Sequence, residues 1–499
     1  MRTITRPKPA ERAVGIAPIL LVAAYFIAKL PALGVADFWD AQTWSNTSAD
    51  ILRNNFYPIP LTYRSYPHPP LPFEAVALVW RALGAHQWAA HLLTVAISCV
   101  TLVLTWRCAA RLYGRGVGLS AAIMLAASPL FFSLSGQTYP EVFQTVFAVA
   151  AVDCLFAGRR KTAILLSLGM VLSKESGAVL LICMAGYAYW TSPATGRMRR
   201  ALSASAFALP ILGLAAWLAF DSIRHSAPDR VAEFGSILLT SQFGAGGVIR
   251  HLVAAVAISF YQMFVANGQV VVLAGVLAAL AVIFRRECTK RNRRVPQFSP
   301  EEIFIAGAVA VLVPFHSLFG NLPRYNLLLY PLLFVLAAGL ADRALKKPKH
   351  LPLLAGGVAL LMATQWFATP GRWMPLDSNM SFTRLVAAER EAAAYLENRH
   401  RDSVILAPWP VTERLAYPVL DHVDRPLHVF GPYPPEECIQ ECSYYAGRVD
   451  WEREYFDIAF YTPFGLRPDL VLASARARGM KELRRFGKAP YQVILFGRA

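Results

Sequence analysis

Two aspartates, Asp37 and Asp40, stand close together in "VADFWDAQTW". Arg64 and His68 follow in "YRSYPHPPLP", Glu141 in "QTYPEVF", Lys174 and Glu175 in "LSKESG", and Arg324 with Tyr325 in "NLPRYNLLLY". A carboxylate can take the proton of a hydroxyl as general base. Lysine and arginine can hold a departing phosphate. Acidic and basic groups gathered at one face of an apolar protein therefore imply a phosphate-bearing substrate and a proton transfer. Each residue also has a plainer reading. The aspartates can be solvated loop carboxylates, and His68 a surface histidine between prolines. Glu141 can be a first-turn carboxylate favoured by the helix dipole, and Arg324 a side chain reaching out to the interface. Lys174 is harder to explain away, because a charge between two short apolar runs is costly and usually functional.

The elements that must position these groups are membrane helices. The chain has 499 residues, 56% of them hydrophobic and 16% charged, with a mean hydropathy of +0.40. That is too apolar for a soluble globular protein. Apolar runs long enough to cross about 30 Å of hydrocarbon recur along most of the sequence. Spans are expected near 13–33, 86–106, 116–135, 139–157, 161–173, 176–190, 201–220, 269–285, 302–320, 326–342 and 351–368, about eleven in all. The first follows a basic leader without a small-residue cleavage site and reads as a retained span.

The net charge of +17 does not point to nucleic acid. The basic residues cluster at the ends of apolar runs, as in "RRECTKRNRR" and "RALKKPK", which is the positive-inside pattern. With a cytoplasmic N-terminus, all the candidate groups fall on the outer side. So do the outer loops 34–85 and 221–268 and everything after 369. The segment 248–266 is apolar enough to span, but spanning would carry "RRECTKRNRR" outside. It reads instead as a helix lying at the outer interface. In "YPHPPLP" four prolines in seven residues make a stiff non-helical segment. It returns the first outer loop to the bundle and can hold Asp40 over a cavity.

From about residue 370 the pattern changes. "FTRLVAAEREAAAYLENRH" has helical spacing, while "SVILAP", "RPLHVF", "FDIAFYTP", "KELRRFG" and "YQVILFG" read as strands. Residues 1–368 are thus expected to form a transmembrane catalytic module and 369–499 a periplasmic α/β domain large enough to fold alone. Cys438 and Cys442, four residues apart, can form a disulfide if exported, and the ligands for a zinc site are too few.

In their order along residues 13–345 the acidic first loop, "HPPL", "TYPEVF", "LSKESG" and "LPRYNLLLYPLL" resemble the GT-C integral-membrane glycosyltransferases of the protein O-mannosyltransferase and lipid A aminoarabinose transferase type. The resemblance implies a polytopic α-helical protein with a soluble domain after the last span. It implies a polyprenyl-phosphate-linked sugar as donor and a lipid, glycan or protein hydroxyl as acceptor. It casts Asp40 as general base in an inverting displacement and gives Glu141 the second acidic position. Lys174 and Arg324 hold the leaving phosphate, with Arg64 or His68 beside them, and Asp37, Glu175 and Tyr325 line the substrate site. No cofactor is required, although a carboxylate-rich loop has the ligand type for a divalent cation. Ala41 stands where the family often has a second acid, and Glu141 where many members have aspartate. The implied place is a bacterial inner membrane with the site facing the periplasm. Rival readings are a transporter or flippase of a lipid-linked substrate, a glycan polymerase or ligase using a diphosphate-linked donor, and a non-catalytic scaffold. A transporter would favour internal inverted repeats, and the sequence shows none.

Overall fold

The computed structural model describes residues 16–56, 68–225, 245–289, 297–318, 322–345, 348–369, 374–431, 455–465 and 468–498. Arg64, Cys438 and Cys442 lie outside these residues. The chain is mostly helical, with one small sheet near its C-terminus.

Among the described residues, four helices are long and apolar enough to cross a membrane: Gln87–Tyr113, Arg197–Asp221, Pro300–Leu318 and Pro323–Ala344. Shorter apolar helices fill in around them, including Ile16–Ala32, Arg115–Ala127, Gly177–Trp190 and Leu351–Ala363. Breaks account for some of the short lengths. The apolar run 116–135 divides at Ser128-Pro129 into Arg115–Ala127 and Pro129–Leu134. At 1.5 Å per residue, the 14-residue helices Arg160–Ser173 and Gly177–Trp190 each reach only about 21 Å. That is shorter than about 30 Å of hydrocarbon, and Lys174 and Glu175 sit in the turn joining them. Gly177 opens the second helix where space is tight. A Cβ there would lie 2.9 Å from Met170 Cγ and 3.2 Å from Gln144 Nε2. Helix Ala245–Phe264 packs along Pro300–Leu318, where Ser317 donates to Ser259 Oγ at 2.8 Å.

The segment 34–85, read from sequence as a loop, holds two helices among its described residues. These are α1 (Asp40–Arg53) and α2 (Leu71–Leu83). α1 is "DAQTWSNTSADILR", rich in residues that prefer caps and turns to helix interiors. It is helical because tertiary contacts bury it. Gln42, Trp44, Ser45, Asn46 and Ser48 are all buried.

It is buried between α2, where Trp44 stacks on Phe73 with 5.6 Å between ring centres, and the C-terminal unit. A mixed five-stranded sheet runs in the order β2-β1-β3-β5-β4, with β1 at Ile405–Leu406, β2 at Val429–Phe430, β3 at Ile458–Tyr461, β4 at Lys481–Phe486 and β5 at Val493–Gly497. β1 pairs parallel with β2 and β3, while β5 pairs antiparallel with β3 and β4. Helix α3 (Phe382–Arg399) covers the sheet, and the short helix α4 (Val411–Ala416) follows β1. The unit shares its core with the membrane helices. One continuous apolar cluster runs from Leu130 and Phe132 through Phe38 to Phe382, Leu385 and Val493.

Polar bonds complete the join. Gln42 Nε2 donates to the Pro410 carbonyl at 2.9 Å, and Asn46 Nδ2 to Glu413 at 3.0 Å. Arg414, fully buried, donates from Nε to Gln42 Oε1 at 2.8 Å, from Nη2 to the Asp37 carbonyl at 3.2 Å, and pairs with Glu389. Removing one member of a buried ion pair leaves the other uncompensated and costs about 3–5 kcal/mol. Arg414→Ala is therefore expected to lower the thermal unfolding midpoint of the purified protein markedly. An unchanged midpoint would show that this join does not hold the two parts together.

Candidate active site

Arg324 lies on a 3₁₀ turn, Pro323–Leu329, that leads into helix Tyr330–Ala344. Its side chain is 4% exposed and meets three carboxylates. Nη2 pairs with Asp40, Nη1 donates to Asp377 Oδ2 at 3.0 Å, and Nε lies 3.6 Å from Glu141 Oε1. The same Glu141 oxygen accepts from Lys174 Nζ at 2.5 Å. Tyr325 caps the cluster, with Lys174 Nζ 4.0 Å from its ring centre. The Tyr139 ring lies 4.9 Å from the Arg324 guanidinium, and its hydroxyl reaches Asp377 Oδ2 at 3.1 Å. The five charged groups come from five separate places in the chain and form one network.

Each is placed by its element. Asp40 opens α1, so its carboxylate sits at the positive end of that helix. Glu141 opens helix Pro140–Phe156 after Pro140 at its first position. Lys174 caps helix Arg160–Ser173, and its carbonyl accepts from Gln144 Nε2 at 3.0 Å. Asp377 lies on the short turn Leu376–Ser378, fixed where Ser133 donates to its carbonyl at 2.8 Å. Trp39, just before Asp40, has φ 53 and ψ −129, a strained backbone for a bulky residue. Its ring packs edge-on against Trp409, 5.0 Å between centres. The C-terminal unit thus braces the residue that aims Asp40.

Asp37 is not in this network. It is 1% exposed and its oxygens are occupied by Ser45, Thr138 and His91. His91 Nδ1 donates to the Leu33 carbonyl at 3.0 Å and Nε2 to Asp37 at 3.0 Å. Burial would raise the Asp37 carboxyl, but His91 and the two hydroxyls outweigh it and hold it below the usual range. Asp37 ties the loop down through these protein partners. His68 Nδ1 lies 2.9 Å from Glu175 Oε2. Its ring lies 5.0 Å from Trp44, so it links α1 to the Lys174 turn, and in this structure its nearest charged partner is a carboxylate. Asp377 and His91 were not singled out in the sequence. Asp377 sits in "WMPLDSNMS" among turn formers, and only its position in space marks it.

Three carboxylates against two cations leave the cluster with one excess negative charge. Burial lifts the Asp40 carboxyl; Arg324 pulls it down, and Asp377 and Glu141 push it further up, for a net rise. A raised carboxyl is a stronger base once ionised. Asp40 also keeps an open side, its side chain being 21% exposed against 3% for Glu141 and 5% for Asp377. Among the described residues, no group of three His, Cys, Asp or Glu side chains is arranged to hold a metal ion. A separate cavity of about 930 Å³ opens between the far end of α1 and α3, walled by Arg53, Arg390, Arg401 and Arg425.

The family model of the dolichyl-phosphate-mannose-protein mannosyltransferases matches residues 67–220. The whole chain is similar to the crystal structure of ArnT from Cupriavidus metallidurans in the apo state. That match has a TM-score of 0.62 and 14% identity, over 96% of this chain and 97% of that one. The structure of the same protein bound to undecaprenyl phosphate matches with a TM-score of 0.62 and 14% identity, over 98% and 99%. No curated protein matches the sequence.

If Asp40 must be ionised to act, activity falls as pH drops, and it does so at a higher pH than an ordinary aspartate would give. Asp377→Asn removes a neighbouring negative charge, so it should move that inflection toward lower pH. The pH–rate profile of the two proteins checks this.

Proposed function

Taking the chain as a membrane glycosyltransferase of the GT-C fold, we propose that it moves a sugar from a polyprenyl-phosphate donor to a hydroxyl acceptor on the outer face of a bacterial inner membrane. The observation that carries this reading is the convergence of Arg324 and Lys174 on Asp40, Glu141 and Asp377. In the proposed arrangement about eleven helices span, the N-terminus is cytoplasmic, and residues 369–499 form a periplasmic unit. The donor carrier is chemically of the kind named for the bound ArnT structure.

The acceptor hydroxyl approaches the open side of Asp40. Its proton passes to the Asp40 carboxylate as its oxygen attacks the anomeric carbon. The bond from that carbon to the phosphate oxygen breaks, and its electron pair stays on the phosphate. A phosphodiester with one negative charge becomes a phosphomonoester with up to two. Lys174 and Arg324 are the cations placed to hold that gain. Entry of the phosphate requires them to loosen from the carboxylates that now hold them. One displacement inverts the anomeric centre. Glu141 holds Lys174 toward the leaving group, and Asp377 with Tyr139 steadies Arg324.

Asp40→Asn should leave the protein folded and able to bind donor while lowering turnover about 10²–10⁴-fold, the usual share of a general base. The check is loss of label from radiolabelled polyprenyl-phosphate sugars in nanodiscs supplied with a membrane extract of acceptors. Near-wild-type turnover would remove Asp40 as the base. Lys174→Ala should lose turnover and also weaken binding of bare polyprenyl phosphate.

A further inference from the structure

Around Lys174 the structure buries three hydrogen-bond acceptors that no described group satisfies: Glu141 Oε2, Gln144 Oε1 and His316 Nε2. All three side chains are at most 3% exposed. Glu141 holds Lys174 through its other oxygen. Gln144, one turn along the same helix, spends its amide hydrogens on the Lys174 carbonyl at 3.0 Å and Ser176 Oγ at 3.1 Å. A carbonyl can only accept, so the atom left over is the Gln144 oxygen.

His316 lies on helix Pro300–Leu318. Its Nδ1 is 2.9 Å from Asn326 Oδ1. An amide oxygen also only accepts, so the ring hydrogen is on Nδ1 and Nε2 keeps a bare lone pair. The ring lies 6.3 Å from that of Tyr325, the same ring that Lys174 covers. Lys174, Glu141 and Glu175 are the charged groups that act on His316.

Buried acceptors are costly to leave unpaired, and these three share one chemical need. They require hydrogen donors. A phosphate, itself only an acceptor, cannot supply them, so they do not belong to the phosphate-binding part of the site. A sugar ring offers several hydroxyl hydrogens and sits next to the phosphate in a lipid-linked donor.

We propose that His316, Gln144 and Glu141 form the subsite that reads the hydroxyl groups of the transferred sugar, with His316 fixed for the task by Asn326. This inference rests on the transfer reading above and adds which residues choose the sugar. A site built to hydrogen-bond a hydroxyl rejects the analogue lacking it far more strongly than an apolar pocket does. The lone pairs are therefore the discriminating feature, and removing one should erase selectivity without weakening the hold on phosphate.

The test uses full-length protein in nanodiscs and measures binding rather than turnover. The probes are bare polyprenyl phosphate, a panel of polyprenyl-phosphate hexoses and pentoses, and their monodeoxy counterparts. The proteins are wild type, His316→Leu and the acceptor-retaining His316→Gln. Wild type should bind at least one hydroxylated donor about tenfold or more tighter than a monodeoxy partner. His316→Leu should abolish that ratio with unchanged affinity for bare carrier, and His316→Gln should restore part of it. A ratio that survives in His316→Leu overturns the proposal and assigns the three acceptors to bound water. Equal weakening of bare carrier and sugar-linked donor also overturns it and makes these residues structural. Failure of wild type to bind bare carrier or any donor overturns the transfer reading itself, and the subsite with it.

Discussion

A buried guanidinium shared by three carboxylates is the constraint on which the rest of this structure depends. Ions taken out of water cost several kcal/mol each unless partners replace the lost hydration. Asp40, Glu141 and Asp377 all face Arg324 in the interior, and Arg324 cannot be buried without them. Lys174 brings the second positive charge. Because the partners come from distant parts of the sequence, the network acts as a many-ended tie. It fixes the entrance of α1, the start of helix Pro140–Phe156, the turn between two short helices and the first turn of the C-terminal unit against one another. Burial, above all, and the neighbouring Asp377 and Glu141 raise the Asp40 carboxyl against the pull of Arg324, and a balance one positive charge short leaves the cations the more contested members. On the proposed reading, a phosphate entering here competes with carboxylates for hydrogen bonds already formed, so binding exchanges partners and does not fill an empty hole.

The C-terminal unit is part of that machinery. Its sheet is small and two of its strands are only two residues long. Its interior continues into that of the helices, and its contacts fall on α1 and on the residue before Asp40. α1 would be a poor helix by itself. Short isolated helices are marginal in water even with good helix formers, and this one is built from Ser, Thr, Asn and Asp. Gln42 and Asn46 lie four residues apart on its face toward the unit, and Arg414 closes the contact.

Much of the helical plan could be read in the sequence because apolar runs and their basic ends report it directly. The reading 139–157 corresponds to helix Pro140–Phe156, and 161–173 to Arg160–Ser173. Breaks were harder to see. Ser128-Pro129 splits a run that composition alone joins. Asp40, Glu141, Lys174 and Arg324 stood out because a charge beside apolar residues needs an explanation, and the structure brings them together. Asp37 has the same surface appearance in sequence, yet its role depends on His91, some fifty residues away. Asp377 and α1 were hidden for a related reason. A polar residue in a polar segment carries no local signal of burial, and only the long-range partner makes it a site residue or a helix. His316, in an apolar helix, is legible only once Asn326 and its unpaired nitrogen are known.

The bracing of α1 by the last part of the chain has a consequence for biosynthesis. A chain emerges from the ribosome N-terminus first, at about 5–20 residues per second. Asp40, Glu141, Lys174 and Arg324 are therefore all inserted before Trp409, Arg414 and the strands that close over them exist. Until those residues are made and packed, α1 lacks part of its cover and Trp39 lacks the partner that holds its backbone. On the proposed reading, the nascent protein can already carry every ionisable group of its cluster and still be inert, becoming competent only when its final segment is in place.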